Sequence, residues 1–137
     1  MSQPATQPDS AFLLGIAAGG VVGSLSRYAV QLALPHTAGS FPWSTLVVNL
    51  TGAVAMGLLV AFLVARPGAH RLARPVVGVG VLGGWTTFSA FAVDTVTLLE
   101  TGHGGAAAAY VLSSFLGSVL AVTLGSIVGQ RIWRIAS

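Results

Sequence analysis

Polar side chains that interrupt long apolar runs are the residues with chemistry to offer. Asn49 stands one turn after Thr45 and almost one turn before Gly52. Its amide has two N–H donors, and Thr45 adds a hydroxyl on the same helical face. A hydrogen bond to a neighbouring helix would explain Asn49 equally well. The string Gly83-Gly84-Trp85-Thr86-Thr87-Phe88-Ser89-Ala90-Phe91 is poor helix, with paired glycines followed by paired β-branched threonines, so a break is expected there. Carbonyls freed by a break at membrane depth can hold a cation, a structural one here because no carboxylate sits at the break. The nearest acid is Asp94, two turns beyond Thr87. Phe88 and Phe91 share a helical face. Packing is the usual reason for such a pair, yet ring edges are electropositive, and two rings presented edge-on can line an anion's path. Tyr110, Ser114 and Ser118 recur at every fourth position as a row of hydroxyls, which could instead bond back to their own helix. Arg27, followed by Tyr28, suits an interfacial snorkelling role or a fixed positive field at a vestibule rather than a catalytic one.

The elements that must position these groups follow from composition. Of 137 residues, 54% are hydrophobic and only 7% charged, against roughly 25% charged in an average soluble domain. With a mean hydropathy of +0.85, the apolar surplus is too large for so small a core to hide. Lipid is the natural solvent. The polar first ten residues lack Lys and Arg, so they read as a disordered tail over 1–10 and not as a secretory signal. A single membrane domain over 11–134 follows, with four apolar stretches at about 11–34, 44–65, 75–99 and 105–129. Each exceeds the ~20 residues that span a ~30 Å hydrocarbon layer at ~1.5 Å per residue. Turn chemistry separates them: Pro35, Gly39 and Pro42, then Arg66-Pro67-Gly68 through Arg74-Pro75, then Thr101 to Gly104. A soluble helical bundle would need polar residues on outward faces, which these stretches lack. The expected fold is an all-α membrane protein of four transmembrane helices, the third broken at its centre.

Five arginines (Arg66, Arg71, Arg74, Arg131 and Arg134) fall on the side shared by both termini, and only Arg27 leans to the other. The positive-inside rule then places both termini in the cytoplasm. Gly15, Gly19 and Gly23 in the first span, and Ser113, Gly117, Ala121, Gly125 and Gly129 in the fourth, form ridges of small residues suited to close helix packing. The absence of cysteine excludes disulfide scaffolds and thiolate chemistry. A pI near 10.7 rests on six scattered arginines with no lysine, too few for a nucleic-acid surface.

Several segments together resemble the Fluc/CrcB family of small fluoride channels: Gly19 to Tyr28, Thr45 to Gly52, Gly83 to Phe91, and the Tyr110/Ser114/Ser118 row. They stand in family order, one per span, and cover nearly the whole chain. The resemblance implies an antiparallel, dual-topology dimer with two narrow pores and a structural sodium ion (Na+) at its centre, held by backbone carbonyls at Gly83 and Thr86. It implies that Phe88 and Phe91 line the pore, that Asn49 is its asparagine, and that Tyr110 and Ser114, with Thr45 and Ser118, form a polar track beside them. Arg27 matches the arginine of the first-span motif. The chain departs from the family at Ala90, often Thr, and at Asp94, usually Glu.

A fluoride ion is small and tightly hydrated, so short hydrogen bonds from neutral donors can offset dehydration without trapping it as a full charge would. With no phosphate-binding loop and no site for a covalent intermediate, the chain is expected to be no enzyme and to conduct passively, expelling cytoplasmic fluoride that entered as neutral HF. The alternative is a small four-helix proton-coupled multidrug exporter, which needs a membrane-embedded carboxylate that the first span lacks. A non-transporting assembly partner is a third class. The expected partners are fluoride, membrane lipid and a second subunit. Because a five-to-one arginine bias sits poorly with insertion in both orientations, that subunit is either a second copy or an oppositely oriented homologue.

Overall fold

The chain was analysed as a computed structural model that describes residues 9–68 and 71–134. The tail expected over 1–10 lies outside the described residues apart from Asp9 and Ser10. Helix α1 spans Ser10–Ala33, with the Asp9 carboxylate capping its first turn through the Ala11 amide. Asp9 also accepts from Arg71 Nη2 at 2.8 Å. This tie places the start of α1 and the loop after the second helix at one end of the molecule. The Arg71 guanidinium first, then the Ala11 amide, hold the Asp9 carboxyl below the usual carboxylate range.

Helix α1 stops one residue short of the Leu34-Pro35 pair, because the residue before a proline is disfavoured in helical conformation. The chain turns through Gly39, whose φ of 87° suits glycine, and re-enters as α2, Trp43–Ala65. Arg66-Pro67 ends α2 in the same way. The third span begins as α3, a π-helical stretch Arg74–Leu82 carried on by one α-turn, Gly83–Trp85. Thr86 and Thr87 are extended, with ψ of 159° and 122°, before α4 runs over Phe88–Glu100. A turn with Gly102 at φ 79° leads to α5, Gly104–Arg134.

The described residues are all helical, and four helical spans are long and apolar enough to cross a membrane: Ser10–Ala33, Trp43–Ala65, Arg74–Glu100 and Gly104–Trp133. Large apolar side chains such as Leu14, Val64 and Phe115 point outward, as lipid-facing residues do. The π-helical winding of α3 has no signature in the hydropathy pattern.

Packing follows the small residues. Helix α2 lies along α5 and α1 along α3, while α4 rests on α5. A β-carbon on Gly57 would strike the Val122 carbonyl, and one on Gly125 would strike the Val54 carbonyl, so the α2 and α5 backbones are in direct contact. In the other pair, a β-carbon on Gly19 would lie 2.7 Å from the Val76 carbonyl, and one on Gly80 2.7 Å from that of Ile16. Such close approach maximises van der Waals contact, the main attraction between helices that lipid solvates as well as it does each other. A buried cluster of Leu46, Leu98, Ala107 and Tyr110 joins α2, α4 and α5 near the end opposite the termini.

Gly125→Ala is therefore expected to destabilise the protein by about 1–3 kcal/mol, the usual cost of overpacking. Gly105→Ala, where a β-carbon meets nothing within 4 Å, should leave stability unchanged. Thermal unfolding in detergent distinguishes the two.

Candidate functional site

The extended residues between α3 and α4 expose backbone groups that no helix can satisfy, and Asn49 of α2 answers them from both sides. The Thr87 amide donates to Asn49 Oδ1 at 2.8 Å, and Asn49 Nδ2 donates to the Thr87 carbonyl at 3.0 Å. The Thr87 hydroxyl then caps α4 by accepting from the Ala90 amide at 3.1 Å. The Thr87 amide is thus turned away from the Gly83 carbonyl, its partner had the helix continued. Arg27 of α1 donates through Nη1 to the Thr86 carbonyl at 3.0 Å, which places its charge at the break.

Around this junction α2, the third span and α5 enclose an open, largely apolar groove of about 790 Å³, lined among others by Asn49, Thr87, Phe88, Phe91, Ser114 and Ser118. Gly83 and Thr86 also border it. Phe88 is 79% exposed, so packing within its own chain does not account for it. Its ring centroid lies 5.7 Å from that of Phe91, which is 5.3 Å from Tyr110, which meets Phe41 edge-on at 5.6 Å. A ladder of aromatic rings thus climbs from the break toward the end opposite the termini.

The hydroxyl row divides. Ser114 Oγ is buried and has no hydrogen-bond partner, whereas the neighbouring Ser113 Oγ bonds back to the Tyr110 carbonyl at 3.1 Å. Back-bonding therefore explains Ser113 and not Ser114. An unpartnered buried hydroxyl carries a desolvation cost of about 1–3 kcal/mol, which a visiting hydrogen-bond acceptor would relieve.

Thr45 and Tyr110 do not reach the groove. Both are buried, and both hydroxyls turn to Asp94 Oδ2, at 2.7 Å and 3.4 Å. The sequence placed Thr45 on the Asn49 face; the fold commits its hydroxyl to Asp94 because α4 runs past that face with its carboxylate inward. His36 completes this second cluster, with Nε2 3.2 Å from Asp94 Oδ1 and Nδ1 3.3 Å from Ser44 Oγ. Sequence reasoning missed His36 and Ser44. No periodicity connects a loop histidine to an acid 58 positions away.

Among the described residues no group of three His, Cys, Asp or Glu side chains could hold a metal. A cation at the break would instead meet the Gly83 carbonyl and the second lone pair of the Thr86 carbonyl. Neutral carbonyl oxygens suit a hard, weakly held monovalent ion rather than a transition metal.

Four membrane-crossing spans with a polar-edged apolar groove at a discontinuity define a multi-pass membrane protein of the ion-pathway class, where irregular backbone is tolerated beside a cavity. Residues 14–126 match the family described as CrcB-like protein, Camphor Resistance (CrcB). The chain is 43% identical over 128 residues to fluoride-specific ion channel FluC 2 of Nocardia farcinica (strain IFM 10152), covering 92% of this chain and 91% of that protein. It is 46% identical over 120 residues to fluoride-specific ion channel FluC of Paracoccus denitrificans (strain Pd 1222), covering 88% and 95%. With the FluC of Caulobacter sp. (strain K31) it shares 42% over 125 residues, covering 90% and 98%. The protein belongs to this CrcB-like family, whose members are named as ion channels and not as enzymes.

Asn49→Ala should release the Thr87 amide and carbonyl together. Measured in detergent, the loss of stability is expected at about 1–2 kcal/mol, as for hydrogen bonds between membrane helices. Asn49→Asp keeps the acceptor for the Thr87 amide but sets a carboxylate against the Thr87 carbonyl, and it should fare no better.

Proposed function

We propose that the protein is a subunit of a fluoride-selective channel that exports cytoplasmic fluoride by passive conduction. The observation that carries this reading is the unpartnered Ser114 hydroxyl on the same groove as Asn49 and the outward-facing Phe88. The second N–H of the Asn49 amide also has no partner among the described residues. Together they offer neutral donors to a small anion, and the printed names of the relatives supply fluoride as its identity.

In this reading fluoride sheds water onto the Asn49 and Ser114 donors and passes along the electropositive edges of Phe88 and Phe91. Ser118 continues the polar side of the path. Tyr110 and Thr45 act at one remove, holding Asp94 through their hydroxyls. No full positive charge lies along the groove, so binding stays weak enough to permit exit. Arg27, on the Thr86 carbonyl, lends its field from behind the break.

The site is completed by a second subunit packed antiparallel, which would close the open groove into one of two pores. That subunit is a second copy or an oppositely oriented homologue. A sodium ion at the dimer centre would be held by the Gly83 and Thr86 carbonyls, and bound there it would fix the broken segments of the two subunits to each other. The arginine bias places both termini of this chain in the cytoplasm.

Liposomes loaded with fluoride and carrying the purified chain should release it rapidly, and Phe88→Ile should reduce release by at least an order of magnitude, on the scale of losing a pre-organised electrostatic contact. Equal release from both refutes the pore. Release from the single purified chain also excludes an obligate heterologous partner. Replacing sodium with a bulky organic cation throughout purification should lower the thermal midpoint of the wild type; an unchanged midpoint removes the sodium site.

A further inference from the structure

The cluster at the end opposite the termini raises an electrostatic difficulty for an anion pathway. Asp94 sits beside Phe91 and Tyr110, where the aromatic ladder reaches the surface, and its negative charge opposes any anion entering there. A small cavity of about 190 Å³ opens onto it, lined by His36, Thr37, Gly39, Ser40, Asp94 and Thr97. Side-chain exposure is 28% for His36 and 14% for Asp94, so the pair is reached by solvent from one side only.

We propose that His36 is the counter-charge of Asp94, a positioning residue whose protonation neutralises the mouth of the pathway and makes anion throughput rise as pH falls. This proposal rests on the channel reading above.

The geometry admits both forms of the imidazole. When neutral, Nε2–H donates to Asp94 and Nδ1 accepts from the Ser44 hydroxyl; when protonated, Nδ1–H donates to Ser44 Oγ instead. The contacts survive titration, and what changes is the charge of the cluster, from minus one to zero. Histidine is the side chain whose ordinary titration range crosses neutral pH. The loop that carries His36 is braced: Ser40 and Thr37 exchange hydrogen bonds of 2.8 and 3.0 Å, and the His103 ring packs over Gly39.

The groups facing the pair from the packed elements are few. Helix α2 presents only the Ser44 and Thr45 hydroxyls, and α5 the Tyr110 phenol. Helix α4 adds Glu100 at its exposed far end, and α1 contributes Arg27, already bonded to the Thr86 carbonyl. The second imidazole at this end, His103, bonds to Thr101 at 3.1 Å and not to Asp94.

Efflux from fluoride-loaded proteoliposomes of the full chain, corrected for protein-free vesicles, is to be followed from about pH 5.5 to about pH 8.5, across the imidazole range. The wild-type rate should fall on the order of fivefold as pH rises, the effect of exposing one like charge at a partly screened mouth. His36→Gln should be flat at the low rate, His36→Lys flat at the high rate, and Asp94→Asn flat. His103→Gln should keep the wild-type profile. A flat wild-type profile, or a His36→Gln protein whose rate still falls, overturns the proposal. Absence of wild-type flux at every pH defeats the channel reading itself. The pairing is then judged without flux by a nitrogen-15 titration of His36, whose midpoint should drop in Asp94→Asn. An unchanged midpoint overturns the proposal independently.

Discussion

The reciprocal pair between Asn49 and the Thr87 backbone is the contact on which the rest of the site depends. A helix interrupted within a membrane leaves an amide and a carbonyl that neither lipid nor the next helical turn can satisfy, and each such group costs several kcal/mol if left alone. One side chain with a donor and an acceptor at fixed separation resolves both. Asparagine is short and planar, so holding Thr87 also fixes where α4 starts and hence where Phe88 points. The threonine hydroxyl then caps the new helix, and the interruption becomes a rigid feature with a defined exit angle.

The two glycine contacts make that junction possible at a distance. Because the α2 and α5 backbones touch at Gly57 and Gly125, and α1 meets α3 at Gly19 and Gly80, the helices on either side of the break lie close enough for short side chains to bridge them. Had these positions carried larger residues, the spacing would exceed the reach of Asn49. The ridges thus serve the site without taking part in it, as their regular spacing in the sequence suggested.

Charge is distributed so that the groove itself carries none. Arg27 is spent on a carbonyl behind the break, Asp9 and Arg71 pair at the terminal end, and Asp94 lies under three donors at the opposite end. What remains along the groove is a set of weak dipoles: an amide, serine hydroxyls and ring edges. Such a lining favours brief contact with a dehydrated anion over capture, whereas a bare arginine there would hold it.

Membrane residence, the number and rough extent of the spans, and the polar residues worth following were legible in the sequence, because hydropathy and periodicity are local properties and the lipid solvent imposes them on every span. The family could be read for the same reason, its motifs being contiguous strings. What those residues touch was not legible. Asn49 and Thr45 share a helical face, yet one serves the break and the other Asp94, since α4 crosses that face at an angle no linear pattern encodes. Ser113 and Ser114 are adjacent hydroxyls with opposite fates for the same reason. His36 entered the mouth cluster only through a contact spanning 58 positions, and the π-helical winding of α3 arises where its backbone is pressed against α1. Local chemistry determined which residues could act; the crossing of helices decided which of them meet.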